Sequence, residues 1–346
     1  MKRLLRLLIA PLLVLGLGAA APAPPAARHA ILVAVQDYES LPGVSLFDGP
    51  RNSVLLWHDY LKGQGFSDIT VLAEGMDAGD VKWGKGDPRV LAPTRANIQR
   101  ALGDLEKRLI ASGGHDKVLI VLAGHGSQQR AMPWDPPKPG NLDEVFLPSD
   151  AGPRPAGDPQ GPFANALVDH DIAPHLKNIS QHAGFIWLVF DSCHSDTMTY
   201  DALLIPHAAP STQRMNDLGY ATHTAGPSLL PPPKAPPPPF GPSPRDKDWP
   251  KNYVAFFASA ADQTTPLIVT DAPPDAAKRI GSGPARFTAF SYFILDALRK
   301  NPSVKFDAVI ANVQRGYKVQ YPADAYEPKF EGGVRLQLPA ATVLGK

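Results

Sequence analysis

Apolar and polar positions alternate along this chain in blocks of two kinds. Residues 117–126 (KVLIVLAGHG) and 184–194 (GFIWLVFDSCH) are almost continuously apolar until their final residues. Strands covered on both faces read this way, whereas half-exposed strands alternate. Residues 29–35 (HAILVAV), 68–73 (DITVLA) and 252–260 (NYVAFFASA) predict three further strands. Between them the spacing turns helical. Val54, Leu55, Leu56, Tyr60 and Leu61 predict a helix over 52–62, closed by Gly63 and Gly65. Thr94 is a good N-cap for a second helix, in which Ile98, Leu102, Leu105 and Leu109 make one apolar stripe before Gly113 and Gly114 end it. Residues 169–179, 288–298 and 306–317 predict three more helices, 75–91 a loop, and 334–338 a final edge strand.

Strands alternating with helices predict an α/β fold, a mostly parallel sheet with helices on both faces. In such sheets ligands bind beyond the carboxyl ends of the strands. The two most apolar runs end there in His125 and Cys193.

Two segments stand apart. Residues 1–21 begin MKRLLR, continue through a short apolar stretch and end in Gly18, Ala19, Ala20 and Ala21, which predicts a cleaved signal peptide. A retained anchor is the alternative. Residues 22–28 read as a linker and 29–346 as one domain. An Ala/Pro-rich exported chain fits a bacterial periplasmic or secreted protein, with no membrane association beyond the signal. Within the domain, about 211–250 contains LLPPPKAPPPPFGPSPRDKDWP and can be neither helix nor central strand. It is expected to be a Pro-rich loop insertion: neutral, a cover over the site, or a docking segment for a partner.

Composition narrows the function classes. A net charge of +1 provides no basic field for nucleic acid. The single cysteine of 346 residues excludes an intramolecular disulfide, and in an oxidising compartment a lone thiol is buried or used. A thiolate is a strong nucleophile, and a nearby imidazole can generate it at neutral pH. Gly126, with no side chain, can bring its N–H close to a substrate carbonyl, and with the Cys193 N–H would form an oxyanion hole. The plain alternative is a buried small hydrophobe and a hydrogen-bonded surface histidine. A third reading is a metal hydrolase using His125, Asp191, His194 and Asp196. Ser127 sits one place late for a GxSxG elbow.

The string GHGSQQ followed by FDSCHSDT resembles the caspase-like cysteine peptidases, and among them the metacaspases. The segments LFDGPRNSVLLWHDYLKGQGFSDITVLAEG, APTRANIQRALGDL, ASAADQTTP and RFTAFSYFILDAL resemble family segments in the same order, with 211–250 unmatched. The resemblance implies a cysteine-type endopeptidase acting on polypeptides, with His125 as general base and later proton donor and Cys193 as the acylated nucleophile. It implies cleavage after Arg or Lys, with Asp191 as a pocket acid. The other two pocket positions depart from the family: Ser53 stands where an acid is expected and Ala123 where a serine is. Several metacaspases need calcium, for which Asp143, Asp169 and Asp171 are the matching candidates. Asp169 and Asp171 also suit the start of a helix on dipole grounds alone. With basic specificity, Arg214, Lys234, Arg245 and Lys247 become candidate self-cleavage sites. The alternative within the family is a catalytically inactive module that binds a partner through the Pro-rich loop.

Overall fold

The computed structural model describes residues 26–41, 44, 46–74, 90–132, 141–192, 252–259, 265–274, 276–281, 283–322 and 326–345. The signal peptide, Cys193, His194, Asp196 and the Pro-rich insertion with its four basic residues lie outside the described residues.

The first half of the chain runs β1 (Arg28–Ala34), α1 (Gly49–Gly63), β2 (Asp68–Ala73), β3 (Val90–Leu91), α2 (Arg95–Ser112) and β4 (Lys117–Gly124). Three short strands follow, β5 (Gly126–Arg130), β6 (Leu142–Phe146) and β7 (Leu167–Val168), then α3 (Asp169–His182) and β8 (Phe185–Ser192). The remainder is β9 (Tyr253–Phe257), β10 (Leu267–Asp271), α4 (Ala277–Ile280), β11 (Pro284–Thr288), α5 (Ala289–Lys300), α6 (Phe306–Gln320), β12 (Lys329–Glu331) and α7 (Ala341–Leu344).

The main sheet has the order β12-β9-β8-β4-β1-β2-β3, parallel except for β12. Its central strands are apolar on both faces because both are covered. Leu119, Val121, Trp187 and Val189 face α1, α5 and α6. Val118, Ile120, Leu122, Ile186, Leu188 and Phe190 face α2 and α3. Trp187 anchors the first layer, with ring centroids 5.6 Å from Trp57, 5.3 Å from Phe256 and 4.9 Å from Phe306. The α/β architecture expected from the alternation is therefore the one observed.

Local signals hold at several boundaries. Thr94 caps α2 by accepting the Asn97 N–H at 3.3 Å, and Gly113 ends it at φ 81°. The amino ends of the strands are tied by charge: His29 lies between Asp68 (2.5 Å) and Asp116 (2.9 Å), and Arg108 reaches Asp68 at 3.1 Å.

Three differences from expectation appear, the first at the end of the predicted 75–91 loop, where Val90 and Leu91 pair in parallel with Val71 and Leu72 as the edge strand β3. The edge strand predicted at 334–338 is a 3₁₀ turn, Gly333–Gln337. Gly332 and Gly333, at φ 147° and 52°, turn the chain away, and the edge is formed earlier by β12, antiparallel to β9. The small sheet β5-β6-β7 had no sequence forecast, because GSQQR and LDEVF carry no apolar alternation; the hairpin β10-β11 was not forecast either.

Candidate active site

Strands β4 and β8 pair in parallel register to their last residues, Ala123↔Asp191 and Gly124↔Ser192. Adjacent strands lie about 4.8 Å apart. The peptide bonds leaving them lead to His125 on one side and Cys193 on the other. Gly124 permits a close approach at this edge: a Cβ there would meet the Phe146 ring at 3.1 Å and the Val35 Cβ at 3.2 Å.

His125 is buried and its backbone is held from both directions. Its N–H donates to the Tyr38 hydroxyl at 2.8 Å, and its carbonyl accepts the Leu147 N–H at 3.0 Å. The Tyr38 and His125 rings lie 5.4 Å apart, tilted by 46°. Neither imidazole nitrogen has a hydrogen-bond partner among the described residues. Burial pushes the imidazole pKa down to about 4, so the ring is neutral at ordinary pH. Gly126 opens β5 opposite Phe146. From Gly126 on, the chain belongs to the separate sheet β5-β6-β7.

Asp191 is buried at the end of β8, and its two oxygens differ. Oδ2 accepts from the Thr288 hydroxyl (2.5 Å), the Ser291 hydroxyl (2.5 Å) and the Ser291 N–H (3.1 Å). Oδ1 has no partner among the described residues. Each hydroxyl hydrogen is spent once, which orders the network. Trp57 Nε1 donates to Ser291 Oγ at 3.0 Å, and Ser291 Oγ donates to Asp191. Ser53 Oγ accepts the Thr288 N–H at 2.9 Å and lies 2.8 Å from Thr288 Oγ1. Thr288 gives its proton to Asp191, so Ser53 donates to Thr288. Asp191 thus also caps the first turn of α5 from another element. Burial outweighs these donors and pushes its pKa up to about 6.

The three positions matched to the family pocket converge here. Ala123 and Asp191 are register partners, and Ser53 reaches Asp191 through Thr288. Thr288 and Ser291 were not singled out from sequence. Their signal was a Thr-x-x-Ser spacing at the start of an apolar helix, which also reads as an ordinary cap.

The acids implied for calcium separate. Asp143 and Asp169, both fully buried, group with His170, their ligand atoms all within 4.8 Å of one another. Asp171 is committed elsewhere, accepting Arg95 Nη2 at 2.7 Å and the Val168 N–H at 3.0 Å. Calcium takes six to eight oxygen ligands, and an imidazole suits it poorly. Of the three acids, only the carboxylates of Asp143 and Asp169 are brought together. Among the described residues this is the only such group, and it includes neither His125 nor Asp191. Also among the described residues, no helix is long and apolar enough to cross a membrane.

Comparison with known proteins accords with this geometry. No curated protein matches the chain. Among solved structures, a crystal structure of protein GSU0716 from Geobacter sulfurreducens is similar in fold, with a TM-score of 0.51 at 16% identity. The match covers 92% of this chain and 99% of that one. The family model for the metacaspase, peptidase C14 domain matches residues 28–201, half of the chain and the stretch that holds both strand ends. The chain belongs to the metacaspase family of C14 cysteine peptidases.

Proposed function

We propose that this protein is a cysteine endopeptidase in which His125 and Cys193 form the catalytic dyad. The observation that carries the reading is the β4–β8 pairing, in register through Gly124↔Ser192, with a buried imidazole at its end whose nitrogens have no described partner. A neutral imidazole is the form that accepts a thiol proton.

The steps follow from that state. His125 takes the Cys193 proton as sulfur attacks the scissile carbonyl carbon. The Gly126 and Cys193 N–H groups receive the developing oxyanion. Collapse breaks the C–N bond, and His125 returns the proton to the leaving amine. Water, deprotonated by His125, then hydrolyses the thioester and restores the thiol.

The same reading makes Asp191 the acid facing the residue before the cleaved bond. Its uncommitted Oδ1 supports recognition of a cation there, Arg or Lys. With Ser53 and Ala123 in place of the family's acid and serine, Asp191 is the only one of the three positions able to carry charge. Export to the periplasm or beyond, through residues 1–21, belongs to the same proposal. An acyloxymethyl ketone bearing a peptide that ends in Arg or Lys tests it. Intact mass should show one adduct on wild type and none on Cys193→Ala or His125→Ala. An adduct on Cys193→Ala would contradict the assignment.

A further inference from the structure

His–nucleophile sites ordinarily fix the imidazole through a third group on its other nitrogen. Among the described residues no carboxylate or carbonyl does this for His125. The side chain packed on it is Tyr38, which is itself firmly placed. The Val35 N–H donates to the Ala123 carbonyl at 2.8 Å, extending the β1–β4 pairing past the end of β1. The Gln36 N–H donates to Glu74 Oε2 at 3.0 Å, tying the same loop to the end of β2. Three residues past Val35, Tyr38 is only 4% exposed, and its hydroxyl accepts the His125 N–H.

We infer that Tyr38 is a positioning residue for the catalytic base: its hydroxyl fixes the backbone at His125, and its ring sets the orientation and dryness of the imidazole. This rests on the dyad reading above. Two contacts do two jobs, and they are separable. The hydroxyl holds the point from which the side chain departs. The ring excludes water, which keeps the imidazole neutral.

Tyr38→Phe keeps the ring and strands a buried N–H. Tyr38→Leu removes both contacts. Because the chain has one cysteine, alkylation by iodoacetamide reports Cys193 alone. Rates should be followed from pH 3.5 to 8, with kcat and KM on a peptide substrate and thermal melts in parallel. Tyr38→Phe should lower the alkylation rate and kcat about tenfold, leaving KM and the acid limb in place. Tyr38→Leu should lower them further and move the acid limb up from about 4 toward the ordinary histidine value of 6.5. A purely structural tyrosine would lower melting temperatures while leaving the limb and the rate of the folded protein unchanged, and that result would overturn the inference. His125→Ala separates the two levels. Loss of alkylation in His125→Ala beside wild-type behaviour in the Tyr38 variants removes only the positioning role. Unchanged alkylation in His125→Ala removes the dyad reading and this inference with it.

Discussion

Asp191 is the buried acid whose replacement is most informative. At neutral pH it is ionised in a site where burial has moved its pKa from 3.8 to about 6. That displacement corresponds to about 3 kcal/mol of stability. The sign follows from proton binding. Between pH 4 and 6 the folded state holds a proton that the unfolded state has released, so this contribution is present at low pH and lost as pH rises through 6. Asp191→Asn removes the titration but keeps an oxygen to accept from Thr288 and Ser291. Asp191→Ala removes the acceptor as well and leaves three buried donors unpaired, at a cost of about 1–3 kcal/mol for each that finds no substitute. Urea midpoints measured from pH 4 to 8 should therefore show Asp191→Asn gaining on wild type as pH rises, by up to about 3 kcal/mol. Asp191→Ala should be the least stable near pH 4, where wild type carries no ionisation cost. The difference between wild type and Asp191→Asn isolates this group from the other acids and histidines, to the extent that the sites act independently. A difference curve that stays flat across pH 4–6 would refute the reasoning.

The remaining predictions concern charge and one cap. Alkylation of Cys193 should persist down to about pH 4, where His125 protonates, while KM for Arg and Lys substrates should rise below about pH 6 as Asp191 loses its charge. His29→Gln should destabilise the protein by about 3 kcal/mol at pH 5.5, by leaving Asp68 and Asp116 without the cation between them. Two aspartates hold the His29 pKa above its usual value, overcoming burial, so this stabilisation is lost as pH rises above 6.5, and the variant should differ less from wild type at pH 8.5. Thr94→Ala should cost about 1 kcal/mol by denaturant midpoint, through loss of the cap on α2.

Much of the sheet was legible because its physics is local. The 117–126 and 184–194 runs are apolar at successive positions, short and with glycine at one end, which suits a strand covered on both faces. The helical stripe of α2 and its Thr94 cap are equally local. What escaped is of two kinds: strands without an apolar period, and side chains whose partners lie far along the chain. β5 and β6 hold together by backbone pairing, with polar side chains such as Gln128 and Glu144 across the ladder, so no alternation marks them. Asp191 was legible by resemblance, but its partners were not, since Thr288 lies 97 residues away and Ser291 lies 100. Tyr38 is 87 residues from His125, and nothing in VQDYES marks its hydroxyl as the acceptor for a distant N–H. Asp169 and Asp171 looked equivalent in sequence. Two residues, about 200° around the helix axis, put them on opposite faces, sending Asp171 to Arg95 and leaving Asp169 beside Asp143.

Peptide cleavage by the chain from about residue 22, beside Cys193→Ala and His125→Ala, tests the central claim most directly. Fluorogenic peptides carrying Arg, Lys or Asp before the scissile bond should be cut by wild type after Arg or Lys. Both variants, folded by circular dichroism, should lose that activity by at least about a thousandfold, the scale of losing a catalytic nucleophile or its base. Undiminished cleavage by folded Cys193→Ala would contradict the account.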